Sequence, residues 1–280
     1  VGKGDPSAAG IARAVRVGKN FDLARVDSDG TPGWTGGKKH AARAMERDAE
    51  ELTDLQERLF AAKQQSVLLI VQGMDTAGKG GIMRHVVGEV DPQGVRIKAF
   101  KAPTKEELAH PFLWRIKNAL PQPGYIGVFD RSQYEDVLVV RVHDLVPRNV
   151  WSRRYEQINK FEKKVVESGT RIIKVMLHVS KDEQKARLTE RLTRKDKYWK
   201  FNPRDIDERG HWDEYMDAYQ AVLDRTNTSY APWHVVPADN KWFARLAVNQ
   251  LLLKELRSLK LKWPPADFDV KEERKRLEAT

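Results

Sequence analysis

Ser66-Val67-Leu68-Leu69-Ile70-Val71-Gln72-Gly73-Met74-Asp75-Thr76-Ala77-Gly78-Lys79-Gly80-Gly81 is the stretch of this 280-residue chain whose reading decides the fold. Its first half is a short apolar run of the kind that forms a strand buried on both faces. Its second half has the spacing Gly-x4-Gly-Lys, in which glycines let consecutive backbone N–H groups, with one lysine, surround an anion. Gly80-Gly81-Ile82-Met83-Arg84-His85-Val86 then reads as a helix start, so strand, loop and helix follow in the order a phosphate-binding loop requires. Gly73, Thr76, Ala77, Gly78, Gly80, Gly81 and Lys79 are therefore the expected phosphate cradle. One position departs from the pattern. The residue after the lysine is ordinarily Ser or Thr, whose hydroxyl helps hold Mg²⁺, and here it is Gly80. Asp75 lies inside the loop instead. An acid among phosphate-binding amides repels its ligand unless a cation lies between them, and Mg²⁺ takes one or two carboxylates plus phosphate oxygens. Asp75 is thus a candidate metal ligand, with helix capping as the plainer alternative.

Outward from the loop, strands and helices alternate. Apolar runs at 95–100, 125–129, 171–179 and 233–237 read as four further strands. Helical periodicity covers 40–63, the loop helix to about 90, 105–120 with Thr104 as N-cap, 134–140, 151–168, 180–194, 205–225 and 240–259. Ser180-Lys181-Asp182-Glu183 is a capping box. This alternation predicts a three-layer αβα domain around a parallel five-stranded sheet, with its ligand beyond the carboxyl ends of the strands. Residues 1–39, rich in Gly, Lys and Asp and without periodicity, are expected as an extended arm. The folded domain is expected over 40–262, and Pro264-Pro265 opens a charged tail covering 263–280.

Asp130-Arg131 closes the third strand, and an apolar strand ending in Asp is the second half of a phosphate-loop enzyme, holding Mg²⁺ or its waters. Arg131 beside it suits a phosphate clamp; its alternative is an ion pair with Glu135 or Asp136. Residues 185–204 hold eight Lys or Arg against two acids. Arg187, Arg191 and Arg194 share one helix face there, as a lid over phosphates would need; a solvated basic helix is the alternative. Lys98 and Lys101 extend the positive field at the end of the second strand, and Arg84 and His85 are weaker candidates. Trp199, within Lys-Tyr-Trp-Lys-Phe, suits a nucleobase contact or a lid anchor. The seven histidines show no metal spacing.

Composition sets the bounds. The formal charge of +10 and an isoelectric point of about 9.6 call for an anionic partner or a solvated basic surface. With no cysteine, disulfides and thiolate metal sites are excluded and a reducing compartment fits, so a cytoplasmic location is expected. Mean hydropathy is −0.63, and no apolar run approaches the roughly 20 residues that span a bilayer. Neither a membrane anchor nor a signal-peptide pattern is expected.

GMDTAGKGG (73–81), FKAPTKEEL (100–108), FDRSQYEDVLVVRVH (129–143), RLTRKDKYWKF (191–201) and APWHVVPADNKWFAR (231–245) together resemble the polyphosphate kinase 2 family over essentially 40–262. The resemblance implies a P-loop kinase-like fold with a helical lid at about 185–210. It also implies Mg²⁺-dependent phosphoryl transfer between inorganic polyphosphate and ADP or AMP, with GDP as a further acceptor. Asp75 and Asp130 would then bind metal, Lys79 and Arg131 would hold the transferred group, and Arg191 with Arg194 would act from the lid. Glu135, in the string Tyr134-Glu135-Asp136, would lie near the base, and a homo-oligomer is expected. The residues support a polyphosphate donor on their own account, because a polyanion along a Lys/Arg channel explains the missing hydroxyl, the acid in the loop and the basic excess together. Two other readings compete. An ATP-dependent nucleotide or small-molecule kinase would work without polyphosphate. A non-catalytic nucleic-acid or polyphosphate binder would gain nothing from Asp75 and Asp130, which disfavours nucleic acid as the partner.

Overall fold

The computed structural model describes residues 9–280. Five strands, β1 (Ser66–Gly73), β2 (Val95–Ala99), β3 (Ile126–Asp130), β4 (Thr170–His178) and β5 (Trp233–Pro237), form one parallel sheet in the order β2-β3-β1-β4-β5. β1 is buried along its whole length, as its unbroken apolar run requires, and β2 is the exposed edge. The chain leaves β1 for β2 and β3 on one side and later enters β4 on the other. The end of β1 is therefore the topological switch point, where open parallel sheets bind ligands.

The α-helices in chain order are α1 (Ala9–Ala14), α2 (Lys38–Ala62), α3 (Lys79–His85), α4 (Lys105–Leu108), α5 (Trp114–Lys117), α6 (Val139–Val142), α7 (Arg148–Glu167), α8 (Lys181–Thr193), α9 (Arg204–Gly210), α10 (Trp212–Thr226), α11 (Lys241–Ser258) and α12 (Val270–Glu278). The α11 helix, buried all round, packs on the sheet with α1, α2 and α3 against it, while α7 packs on β4 with α6 and α10 against it. The result is the expected three-layer α/β sandwich. No helix among the described residues is long and apolar enough to cross a membrane.

Local differences from the sequence reading have identifiable causes. The helix expected at 105–120 is two short ones, because Pro111 pushes His110 out of helical geometry. Thr104 does cap its first turn, in a reciprocal capping box with Glu107. The 205–225 helix breaks at His211, and the loop helix ends at His85, followed by a 3₁₀ turn at Val87–Glu89. Residues 1–8 of the expected arm lie outside the described residues. The rest of it is seated on the domain: Ile11, Val15, Val17, Leu23 and Trp34 are buried, and Val15 and Val17 pair with the free edge of β5 through Val235 N–H→Val15 O (2.9 Å) and Val17 N–H→Trp233 O (3.0 Å). Beyond the domain, α12 is capped by Asp269 and has no buried residue.

One polar cluster lies wholly inside. Lys174 on β4 donates to Glu162 (2.8 Å), to the Tyr134 hydroxyl (2.9 Å) and to the Thr226 carbonyl (2.7 Å). Tyr134 and Gln133 donate to the other Glu162 oxygen at 2.7 and 2.9 Å. Lys174 and Glu162 are both 0 % exposed, and the cluster ties α7, β4 and α10 to the segment that follows Asp130.

Candidate active site

Gly73 ends β1 in contact with β4: a Cβ there would stand 2.9 Å from the Leu177 carbonyl oxygen, so only glycine fits. Gly78 turns the chain into α3 at φ +116°, in the region glycine adopts freely. Between them Thr76 sits at φ +67°, a conformation that is costly for a β-branched residue. In the first turn of α3 the Gly81 and Ile82 amides donate to the Gly78 carbonyl (2.8 and 3.2 Å), and the amides of Lys79 and Gly80 before them are available to a ligand. Lys79 is buried and folds back over the loop, donating to the carbonyls of Gly73 (2.8 Å) and Met74 (3.1 Å). Burial draws its pKa down, against the opposing charges of Asp75, Asp130 and Glu135.

Asp75 meets Arg131 across the loop, with Nη2 to Oδ1 at 2.5 Å. Burial alone would raise the Asp75 pKa, but Lys79, Arg131 and Arg191 outweigh it and hold the carboxylate below its ordinary range. Burial pulls Arg131 down and Glu135 with Asp75 pull it up more strongly, so it stays charged. Arg131 also stands at positive φ (+65°), directly after Asp130 at the end of β3, and its N–H donates to the Val71 carbonyl (3.0 Å). The alternative partner Asp136 is taken by Arg154 at 2.9 Å. Glu135 is fixed beside the loop by Gln72 (2.9 Å), which Ser132 holds in turn (3.0 Å).

The residues for a cation are present. Asp130 Oδ1 and Thr76 Oγ1 are buried with no hydrogen-bond partner among the described residues, an expensive state that a bound cation or phosphate would relieve. No three His, Asp or Glu side chains among the described residues form a metal cage. Two carboxylates, completed by substrate oxygens, are what Mg²⁺ uses, so Asp75 and Asp130 fit such an ion.

The basic helix α8 divides its arginines among different tasks. Arg187 is buried and fully engaged: Nε to Glu183 (2.7 Å), Nη1 to the Thr76 carbonyl (2.9 Å), Nη2 to the carbonyls of Ala238 (2.6 Å) and Asp239 (2.9 Å). The expectation that it binds phosphate directly is corrected: its guanidinium braces the loop from behind. Arg191 is the arginine of this helix whose charge reaches Asp75, and it rests on Asp205 (3.1 Å) and the Lys200 carbonyl (3.0 Å). Arg194 is half-exposed and paired locally with Glu190 and Asp196, outside the cluster around the loop. Lys101 is exposed beyond the end of β2, on the same sheet edge, its carbonyl held by Arg115 (2.8 Å). Trp199 is 78 % exposed in the 3₁₀ turn after α8, with Lys200 over its ring.

Sequence reasoning missed Gln72, Gln184, Asp205 and Arg209. Gln72 carried a signal, a lone amide within an apolar strand. The other three carry none, because their meaning comes from partners distant in the chain. Asp136 has its own pH signature. Burial raises its pKa to about 6, with Arg154 and Arg115 opposing. Folded Asp136 therefore binds more protons than the unfolded chain between roughly pH 4 and pH 6, so its contribution is full below that window and is lost as pH rises through about 6. Unfolding free energies of the wild type and Asp136→Asn should diverge by on the order of 1 kcal/mol between pH 5 and pH 7.5, the wild type losing ground. A pH-independent difference in urea titrations refutes this.

The sequence matches the polyphosphate kinase 2 family profile over residues 36–263. It is 45 % identical over 244 residues to an AMP/ADP-polyphosphate phosphotransferase of Meiothermus ruber, spanning 87 % of this chain and 91 % of that one. It is 42 % identical over 262 residues to an ADP-polyphosphate phosphotransferase of Rhodopseudomonas palustris, spanning 89 % and 90 %. The crystal structure of polyphosphate kinase 2 from Arthrobacter aurescens TC1 superposes with a TM-score of 0.95 at 53 % identity, over 97 % of each chain. By sequence over most of its length and by fold over nearly all of it, the chain belongs to the polyphosphate kinase 2 family.

Proposed function

We propose that the chain transfers a phosphoryl group reversibly between inorganic polyphosphate and a nucleoside mono- or diphosphate, yielding ADP from AMP or ATP from ADP. The observation that carries this reading is the Asp75–Arg131 pair, set between Lys79 and the unpartnered Asp130 at the end of β1. An ATP-binding loop has no evident use for an acid at its centre, whereas a site where a polyphosphate chain meets a nucleotide phosphate around a cation does. GDP is a further acceptor on this reading, with Glu135 on the nucleotide side.

In the reaction an oxygen of the acceptor's terminal phosphate attacks the end phosphorus of polyphosphate, and the P–O bond to the rest of the chain breaks. Little is asked of the protein beyond alignment and charge compensation. The loop amides and Lys79 hold the transferring group, Arg131 is kept aimed at it by Asp75, and Arg191 approaches from the lid formed by residues 185–210. Lys101 and Arg194 extend the track for the chain. Mg²⁺ held by Asp75 and Asp130 would neutralise phosphate oxygens. Nucleotide substrates support a cytoplasmic location, and the exposed Trp263, Phe268 and Leu277 support a homo-oligomer.

The test is direct. Purified protein with polyphosphate, Mg²⁺ and ADP or AMP should yield ATP or ADP, resolved by chromatography; no product with either acceptor overturns the reading, and product from ATP alone favours an ordinary kinase. Polyphosphate affinity should also fall steeply with salt, the slope of log K against log salt growing by about 0.7–0.9 for each phosphate neutralised. Titrations from 50 to 200 mM salt that leave Kd unchanged refute a basic track.

A further inference from the structure

Gln184, Arg187 and Arg191 lie along one face of α8, and each reaches a different part of the site. The Gln184 side chain is buried, with Nε2 donating to the Asp75 carbonyl at 3.1 Å. Arg187 holds the next carbonyl, that of Thr76. Two successive carbonyls of the loop are thereby drawn to α8; on the opposite edges of their peptide planes, the Ala77 N–H closes the loop on the Met74 carbonyl (3.1 Å) and the Thr76 N–H is left for a ligand. Thr76 can keep its unfavourable φ only because its surroundings fix it.

Gln184 has a second partner. Its Oε1 accepts from Arg209 Nη1 at 3.0 Å, and the same Nη1 donates to the Lys181 carbonyl. Arg209 stands on α9, the lid helix, and α9 is joined to α8 again through Asp205 and Arg191. A backbone carbonyl can only accept and a guanidinium can only donate, so a single amide orientation of Gln184 satisfies both neighbours. If α9 moves off, Arg209 leaves and Oε1 loses its partner, so the amide is held at one end alone, by its bond to the Asp75 carbonyl.

We propose that Gln184 is a positioning residue through which the seating of α9 fixes the backbone, and hence the carboxylate, of Asp75. The lid then does more than deliver Arg191: its arrival sets the loop in its working shape. The inference rests on the phosphoryl-transfer reading for the meaning of "working", though the contacts stand without it.

The experiment is a double-mutant cycle on the full chain: Gln184→Ala, Arg209→Ala and the pair, with kcat, KM for polyphosphate and nucleotide, and Tm for each, plus Gln184→Glu. A misplacement of about 1 Å can cost about 10²-fold in rate. Each single variant should lose about 10- to 100-fold in kcat with KM within about threefold, and the double variant should fall no further than the worse single one. Gln184→Glu still accepts from Arg209 but cannot donate to the Asp75 carbonyl, so it should be as impaired as Gln184→Ala. Losses that multiply, a Gln184→Glu enzyme at wild-type rate, or a change in Tm without a change in kcat each overturn the inference. The wild-type rate with polyphosphate tests the functional reading separately. The ratios among variants test this inference with whichever donor the wild type uses.

Discussion

Replacing Asp75 with Asn should lower kcat about 10³-fold or more while the circular dichroism spectrum stays that of the wild type and unfolding stays cooperative. The substitution keeps shape and removes one charge from a half-buried cluster with Lys79, Arg131 and Asp130. Three effects then act together. Arg131 loses the carboxylate that aims it, the proposed cation loses one of its two anionic ligands, and the loop acquires an uncompensated positive charge. Removing one preorganised group that stabilises developing charge typically costs 10²- to 10³-fold in rate, and here two such groups fail at once. Stability should fall slightly, because the low pKa of Asp75 means that its ionised form favours the folded state. Rates with polyphosphate and ADP, beside a melting curve, check both halves. A variant within tenfold of wild type would remove Asp75 from the chemistry.

The second large effect is structural. Glu162→Gln should destabilise the protein by about 3–5 kcal/mol, since removing one partner of a buried ion pair leaves the other charge uncompensated. At roughly 2–4 °C of Tm per kcal/mol for a domain of this size, the melting point should fall by about 10 °C. Lys174 cannot turn to solvent, being 0 % exposed and enclosed by Tyr134 and Trp233. Its own pKa is already drawn down by burial, with Glu162 opposing, so the variant should partly recover at high pH as Lys174 sheds its proton. The double substitution Lys174→Met with Glu162→Leu should cost less than the single one, because no unpaired charge remains. Thermal melts of the three variants at pH 7 and pH 9 decide this.

How far the sequence foretold these results depends on the range of the interaction. The αβα sandwich was legible because the strands are mostly apolar runs, with only the edge strand β2 alternating as Val95-Arg96-Ile97-Lys98-Ala99, and each is followed by a helical period; the loop was legible because it lies within nine residues. Asp130 was found by its place at the end of a strand. The partners were not legible. Arg131 lies beside Glu135 and Asp136 in the chain, yet it pairs with Asp75, 56 residues away, because β1 and β3 are neighbours in the sheet. Arg187, Arg191 and Arg194 have the spacing of a common face. Spacing does not say whether a face meets solvent, substrate or the protein itself, and these three divide among a brace, a lid contact and the surface. The break at Pro111 was readable from local rules; the seat of the 9–34 segment was not, because its partner strand lies at the far end of the domain.

That seat bears on how the chain comes off the ribosome. Val15 and Val17 add an antiparallel partner to the edge of β5, and the Asn227 side chain donates to the Val17 carbonyl across 210 residues of sequence. During synthesis this segment lacks its partner strand until β5 has emerged, so its apolar residues Ile11, Val15 and Trp34 wait unburied while the strands between are made. Contacts of such long sequence separation form slowly and leave adhesive surface open in the meantime. The same pairing blunts one of the two sheet edges once it forms. Residues 11–34, made well before β5, are thus among the last to dock, and the nascent protein remains sticky until they do.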